Sequence, residues 1–200
     1  MELVRRLGTN ARKLDRLLVD LLDLERLSRG ILEPTCRPTD VGALARQLAS
    51  GMDALAGQPL TVEAPSLVVW VDAPKVERIV ENLLINAVKH TPPGTPVWLK
   101  VAGQREGVLI AVEDAGPGLS PERRGVVFEA FQQGATAAPH APGVGIGLSL
   151  VSSFAELHGG RAWVEDRPGG GCSFKVLLPG GCPAGSREDD GAGTASARLP

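Results

Sequence analysis

The 200-residue chain has no tyrosine, and its four phenylalanines and three tryptophans make up only 4% of it. Its formal charge is −2, with Lys and Arg scattered along the sequence, so there is no basic footprint for nucleic acid. No apolar run approaches the roughly 18 residues of a membrane span, and no signal peptide opens the chain. A soluble, cytoplasmic chain without membrane contact of its own is therefore expected, although a longer parent protein could be anchored. Cys36, Cys172 and Cys182 show neither CxxC nor His-paired spacing, which favours a reduced chain over a disulfide framework or a metal site. Internal repeats are also lacking. What is present is 43% hydrophobic residues, enough for a core, in a length that suits one domain plus an appendage. Gly (25 residues) and Pro (16) are abundant, many of them between 115 and 147 and again after 167.

Residues 2 to 28 carry Val4, Leu7, Ala11, Leu14, Leu18 and Leu21 at spacings of three and four, which predicts one long helix. Leu17, Leu22, Leu24 and Leu27 widen its apolar stripe beyond the needs of a lone helix. The expected partner is another helix, from a second chain or from upstream sequence; the alternative is a helix folded back on the main domain. Gly30 and Pro34 end this helix and begin a linker. Asp40 is placed to cap a helix over 41–54. Strands follow at 60–62 and 67–71, joined by a proline turn. Asp72-Ala-Pro74 then starts a helix that runs to His90, where Thr91-Pro-Pro-Gly94 stops it. Segments 97–102 and 108–113 read as adjacent antiparallel strands. Residues 115–143 hold a short helix near 121–130 inside a Gly- and Ala-rich segment, and a loop of that length is usually functional or mobile. A helix over 145–158 ends at His158-Gly159-Gly160, and strands at 161–166 and 172–178 close the fold. The tail from Pro179 onward is small, polar and charged, and is expected to be disordered.

Three stretches carry chemistry. On the helix that ends at His90, Asn86 lies about 40° around the axis from Asn82, and Lys89 about 20° to the other side. Val80, Leu83, Leu84, Ala87 and Val88 form the apolar face behind them. Two carboxamides and an ammonium suit a metal-bound polyphosphate, because neutral Asn oxygens do not repel the anion and Lys attracts it. A solvated polar face is the competing explanation. Asp114-Ala-Gly-Pro-Gly118 puts a carboxylate at a strand end, able to accept from an exocyclic amine, with Gly116 and Gly118 opening the backbone to a ring. Taken alone, a tight Asp-Gly turn is the better explanation. Gly143-Val-Gly-Ile-Gly-Leu148 opens a helix with bare amides suited to an anion, and on its own it is as consistent with a flexible loop. It lacks the preceding strand and the later acidic residue of a dinucleotide fingerprint.

In this order and spacing, the stretches resemble the GHKL superfamily of ATP-binding domains, and within it the catalytic domain of bacterial sensor histidine kinases. Asn82 to His90 is similar to the N box, Asp114 to Gly118 to the G1 box, Phe128-Glu-Ala-Phe131 to the F box, and Gly143 to Leu148 to the G2 box. His158-Gly-Gly160 and Pro168-Gly-Gly-Gly171 resemble the closing segment. The resemblance covers residues 36–179. Residues 1–33, with Leu21-Leu-Asp-Leu24 and Arg26-Leu-Ser-Arg29, are similar to the second helix of the dimerisation and phosphotransfer bundle plus a linker, and 180–200 is left as a tail.

The resemblance implies an α/β fold: a two-layer sandwich with a mixed, mostly antiparallel sheet covered on one face by helices 41–54, 74–90 and 145–158, preceded by one long helix. It implies ATP and Mg²⁺ as cofactors. Asn86 is then the metal ligand supported by Asn82, Lys89 contacts phosphate, and Asp114 reads adenine with Gly116 and Gly118 beside it. His90 lies near the nucleotide, where relatives often have Tyr, and Gly143, Gly145, Gly147 and Leu148 line the lid. The hydrolysing branches carry Glu where this chain has Asn82, which favours a kinase whose base lies elsewhere. The implied activity is transfer of the γ-phosphoryl group to a histidine in two-component signalling. The implied partners are an acceptor-His helix of the same or a partner chain, a response-regulator receiver domain, and a second copy bound through the N-terminal helix.

Two departures bear on that activity. His90, His140 and His158 do not fit the acceptor position, so the chain as given is expected to bind nucleotide without autophosphorylating. Residues 131–143 contain no Lys or Arg, and Val144 replaces a frequent hydroxyl residue, both of which weaken the expected lid closure. A nucleotide-binding regulatory module without transfer activity is the alternative. The remaining residues suggest packing: Phe128 and Phe131 in the core or docked on the bundle, Trp70, Trp98 and Trp163 in strands, His158 at a helix end, and Glu81 on a solvated helix face.

Overall fold

In a computed structural model of the chain, residues 2–52, 55, 57–130 and 145–181 are described. The order of elements is α1 (Glu2–Ser28), β1 (Arg37–Asp40), α2 (Val41–Gly51), β2 (Leu60–Glu63), β3 (Val68–Val71), α3 (Ala73–His90), β4 (Val97–Gln104), β5 (Gly107–Asp114), α4 (Pro121–Arg124), α5 (Gly147–Leu157), β6 (Arg161–Asp166) and β7 (Cys172–Pro179).

Strands β2, β4, β5, β7 and β6 form one sheet in that order, in which β2 runs parallel to β4 and every other pair is antiparallel. The expected mixed, mostly antiparallel sheet is therefore present. Because side chains alternate across a strand, Val97, Leu99 and Val101 on β4, Val108, Ile110 and Val112 on β5, and Phe174, Val176 and Leu178 on β7 share one face. Helices α2, α3 and α5 cover that face with Val41, Ala45, Val76, Ile79, Leu83, Leu84, Leu150, Val151 and Phe154, and all of these residues belong to one core. Burying a Leu, Ile or Phe side chain contributes roughly 1.5–3 kcal/mol, so this two-layer core is the main source of stability. Phe128 joins it, meeting the Phe174 ring edge-on at 6.2 Å between centroids. Phe131 lies outside the described residues, as do His140, Gly143, Val144 and the tail from 182.

Local chemistry sets the helix ends. Asp40 caps α2, accepting from the Ala43 N–H at 2.9 Å, and also accepts from Leu67 N–H and Ser66 Oγ. Those donors favour the charged form and hold the Asp40 carboxyl down at about 2. Asp72 caps α3 with an oxygen 3.2 Å from the Lys75 N–H, and Pro74 sits in the first turn. Helices α1 and α5 both end on a left-handed glycine. At α1, Gly30 has φ +65° and the Ile31 N–H returns to the Arg26 carbonyl; at α5, Gly159 has φ +74° and the Gly160 N–H returns to Ala155.

Several expectations need correction. Strands β2 and β3 follow one another but do not pair: β2 joins the edge of the main sheet, and β3 pairs antiparallel with β1, a strand that the sequence reading passed over. With four residues each and no hairpin turn between them, nothing local fixes their partners. Helix α2 stops at Gly51, short of 54, and the helix expected over 121–130 is Pro121–Arg124 followed by turns, consistent with the weak helix propensity of Gly125-Val-Val127. Cys172 is a free buried thiol, but Cys36 is disulfide-bonded, which departs from a fully reduced chain; sequence spacing cannot reveal pairings made in space.

Helix α1 answers its two alternatives unequally along its length. Leu24 and Leu27 pack on the core beside α5, while Asp20 pairs with Arg78 and Asp23 lies 3.1 Å from Lys75, both on α3. Its last turns are thus folded back on the domain. Leu14 and Leu18, 61% and 53% exposed, remain open together with Val19, Leu21 and Leu22. Among the described residues, no helix is long and apolar enough to cross a membrane.

Candidate functional site

The C-terminal end of β5 pairs with the first residue of β7 beside Thr91, which follows α3, and the N-terminus of α5 lies against Asn82 in the middle of α3. Asp114 continues the inward row Val108, Ile110, Val112, so the alternation that buries three apolar side chains also buries a carboxylate, 5% exposed. Its Oδ1 accepts from the Gly116 N–H at 2.9 Å, and the Cys172 backbone N–H also donates to it. Burial outweighs these bonds and the charge of Arg167, so the carboxyl is held above its ordinary value. Asp114 and Gly116 are therefore joined in a tight turn, as the turn alternative expects. A Cβ on Gly116 would stand 2.7 Å from both Asp114 Oδ1 and Thr91 Cγ2, so only glycine fits there. Gly118, with φ +79°, continues the turn.

Opposite, α3 buries Val76, Ile79, Val80, Leu83, Leu84 and Ala87, which leaves Asn82, Asn86 and Lys89 half-buried along its other side. The apolar face matches the sequence reading, extended by one turn toward the N-terminus. Asn82 Nδ2 is buried without a hydrogen-bond partner, a cost that a bound group could offset. Its Oδ1 lies 3.2 Å from the place where a Cβ of Gly147 would be, so Gly147 brings the start of α5 against Asn82. Ile146 occupies the N-cap of α5 without a side-chain cap, which leaves the first amides available to an anion. Gly145 precedes them with φ +76°, and Leu148 follows half-buried. The structure thus brings Asn82 and Gly147 together and joins Asp114 to the same region through Thr91. Gly143 falls outside the described residues.

His90 ends α3 on the exposed rim. Partial desolvation pushes its imidazole below the ordinary value, followed by the charges of Lys89 and Arg123. His158 is elsewhere and structural: buried at 2% exposure, its Nδ1–H donates to the Phe154 carbonyl at 2.7 Å, and its Nε2 accepts from the Asp72 N–H at 3.0 Å. Glu81 lies 3.6 Å from Arg78 on the face that meets α1.

Sequence reasoning passed over Thr91, Cys172 and Arg123. Thr91 caps α3, its hydroxyl donating to the Ala87 carbonyl at 2.8 Å and accepting from Gln58 Nε2. Cys172 heads the inward row of β7 directly across from Asp114, and its thiol is pushed up to about 11 by burial and by the neighbouring Asp114 and Asp166 carboxylates. The period-two row Cys172, Phe174, Val176, Leu178 was available in the sequence as a signal for it. Among the described residues there is no cluster of three His, Cys, Asp or Glu side chains able to hold a metal by itself. The carboxamides of Asn82 and Asn86 fit a divalent ion only in company with ligands that an anionic partner brings, and the bare amides at α5 fit the same anion.

Comparison with known proteins is consistent with this geometry. A family model described as "Histidine kinase-, DNA gyrase B-, and HSP90-like ATPase" matches residues 71–181. The chain is 39% identical over 183 residues to the sensor histidine kinase TmoS of Ectopseudomonas mendocina, an alignment covering 88% of this chain and 19% of that protein. It is 32% identical to the sensor protein KdpD of Escherichia coli, over 82% of this chain and 18% of that one. Among solved structures, full-length ShkA in complex with AMPPNP aligns with a TM-score of 0.71 and 30% identity, covering 87% of this chain and 37% of that one. The ATP-binding domain of PrrB from Mycobacterium tuberculosis aligns with a TM-score of 0.59 and 32% identity, over 73% and 98% respectively. The chain spans between 12% and 31% of the length of the curated relatives.

Proposed function

Because the chain belongs to the family of histidine kinase-, DNA gyrase B- and HSP90-like ATPases, we propose that its crevice binds Mg²⁺–ATP and presents the γ-phosphoryl group to a histidine carried on another helix, as part of a two-component signalling kinase. One observation carries this reading. A buried carboxylate at Asp114, an Asn82 whose amide nitrogen is buried without a partner beside Gly147, and an uncapped N-terminus of α5 supply an acceptor for an adenine amine and donors for phosphate oxygens.

In this reading Asp114 accepts from the adenine amine, and the missing side chains of Gly116 and Gly118 let the ring approach. Asn86, supported by Asn82, holds Mg²⁺, which supplies charge neutralisation to the phosphates. Lys89 adds a point charge, and His90 flanks the nucleotide. Gly143, Gly145, Gly147 and Leu148 form the lid, where backbone amides meet phosphate oxygens. The chain's own residues orient the nucleotide and offset its charge; they need supply no base, in keeping with Asn rather than Glu at position 82. The acceptor is a separate helix, since His158 is engaged on both nitrogens and His90 lies on the pocket's rim. The open leucines of α1 fit pairing with a second copy, and a response-regulator receiver domain is the downstream partner.

Mixing the chain with an acceptor-bearing helix hairpin and γ-labelled ATP tests this. Label should appear on the hairpin's histidine, vanish with Asn86→Ala, and never appear on the chain alone; acid-labile phosphate on the chain itself would overturn the separation of acceptor and pocket. The absence of Lys and Arg from 131–143 supports a second reading, a nucleotide-responsive regulator without transfer. Retained ATP binding with no label on the hairpin would favour it.

A further inference from the structure

Cys36, the residue before β1, is fully buried and disulfide-bonded. The chain has three cysteines and Cys172 is a free thiol, so Cys182 is the one partner that the sequence leaves. Cys172 is also a poor competitor, because burial pushes its thiol up to about 11 and little thiolate forms at neutral pH. The described residues independently bring the neighbourhoods of Cys36 and Cys182 to one corner of the fold. Strand β1 runs antiparallel to β3 with Arg37 opposite Val71, so one step further Cys36 falls opposite Asp72. The Thr35 N–H donates to Asp72 Oδ2 at 3.0 Å, and the Asp72 N–H donates to His158 Nε2 at 3.0 Å. After His158 come Gly159, where a Cβ would stand 4.0 Å from Pro179 Cγ, and Gly160, where a Cβ would run into the Leu177 carbonyl. The end of β7 therefore lies against the corner that holds the linker after α1. Three residues lead from Pro179 to Cys182, a reach of roughly 10 Å, and the two between them are Gly180 and Gly181, which restrict the backbone least.

We propose that Cys36 and Cys182 form a reversible clasp: oxidised, it ties the end of β7 to the linker between α1 and the sandwich, and reduced, it releases that linker. The inference does not depend on the nucleotide reading. A dithiol reductant of the thioredoxin class opens the bond. Because Cys36 is buried, the attacking thiolate takes the Cys182 sulfur, and Cys36 leaves as a thiolate that accepts a proton. The second thiol of the reductant then displaces Cys182, so two electrons and two protons pass to the pair and the reductant ends as a disulfide. Oxidised glutathione closes the clasp by the reverse exchange, releasing two molecules of reduced glutathione. Since the bond spans nearly the whole sandwich in sequence, closing it also removes much freedom from the unfolded chain.

The test uses the whole chain, incubated either with oxidised glutathione or with dithiothreitol. After oxidised glutathione, peptide mapping without reduction should join the peptides that contain Cys36 and Cys182, and Cys172 should alkylate as a thiol once the chain is unfolded. Dithiothreitol should separate the joined peptides and lower the unfolding midpoint by roughly 5–10 °C. It should also speed amide hydrogen exchange over residues 31–40 by at least about threefold while β5 stays unchanged. Cys182→Ser and Cys36→Ala should each behave as the released form in both buffers; the first leaves the buried cysteine in place, so a folding defect in the second does not decide the result. A Cys36 thiol that alkylates after oxidised glutathione, a linkage of Cys36 to Cys172 or to a second chain, or exchange over 31–40 that reduction leaves unchanged overturns the proposal.

Discussion

Asp114 is buried at the end of an apolar row by a pattern that would have accepted Val or Ile there. A carboxylate in that position costs stability unless something uses it, and burial already pushes its proton affinity up. Asp114→Asn removes the charge while keeping the shape, so it should leave thermal stability equal or slightly higher. It should also lower adenine-nucleotide affinity at least about tenfold, because with the amide oxygen kept on the Gly116 N–H an NH2 donor would face the amine of the base. Unchanged affinity by calorimetry would remove Asp114 from the site. His158 shows the opposite case, with both nitrogens bonded and no ligand in view. His158→Leu should cost about 2–4 kcal/mol in denaturant unfolding, from a lost inter-element bridge and an unpaired Asp72 N–H. Its folded value and that of His90 both lie below 6.5, mainly through burial. The unfolded chain therefore takes up protons first as pH falls below about 6.5, and this contribution to stability is present above that pH and lost beneath it. His158→Leu should flatten the pH dependence just below about 6.5, which unfolding at several pH values would measure. Of the candidate site residues, Asp114 was readable because a carboxylate interrupts an apolar row, whereas Asn82 and Asn86 sit on the polar side of α3 and stood out only beside the glycine-rich stretches. Thr91 was not readable, since a hydroxyl after a helix is ordinary until its neighbours are known.

At the scale of elements, caps and periodicity carried the reading. Asp40, Asp72 and the glycines at 30 and 159 fix helix ends through local hydrogen bonds, and local bonds are what a sequence encodes directly. Strand partners are not local, which is why β1 was missed and β2 and β3 were left without their true neighbours. The docking of α1 belongs to the same class. Leucines at three and four spacing declare an apolar face without saying what covers it, whereas the ion pairs of Asp20 and Asp23 with Arg78 and Lys75 show where its last turns rest. Lys75 also lies over the Phe154 ring at 4.9 Å, tying α1, α3 and α5 at one place. Removing the acidic partners with Asp20→Asn and Asp23→Asn should release the end of α1 at a cost of about 1–2 kcal/mol. Hydrogen exchange should then speed up over residues 17–28 but not over β4, β5 and β7. Unchanged protection of α1 would show that Leu24 and Leu27 hold it without the charges.

For the whole molecule, the layer architecture was legible and the relation between its parts was not, because packing between α1 and the sandwich depends on contacts more than fifty residues apart in sequence, as between Asp20 and Arg78. Those contacts give α3 two unlike ends. Its first turns carry the charges that hold α1, its N-cap Asp72 donates its N–H to His158, and its second half carries Asn82, Asn86, Lys89 and His90. Its 18 residues of helix span roughly 27 Å, and a helix buried along one face does not bend easily over that length. The helix is therefore a stiff rod, with the α1 contacts toward one end and the candidate site residues toward the other. The Asp20→Asn, Asp23→Asn chain should accordingly bind ATP with unchanged affinity by calorimetry, although it holds the nucleotide in a less fixed place. On the proposed nucleotide reading, binding and the docking of α1 are then set at opposite ends of a single helix.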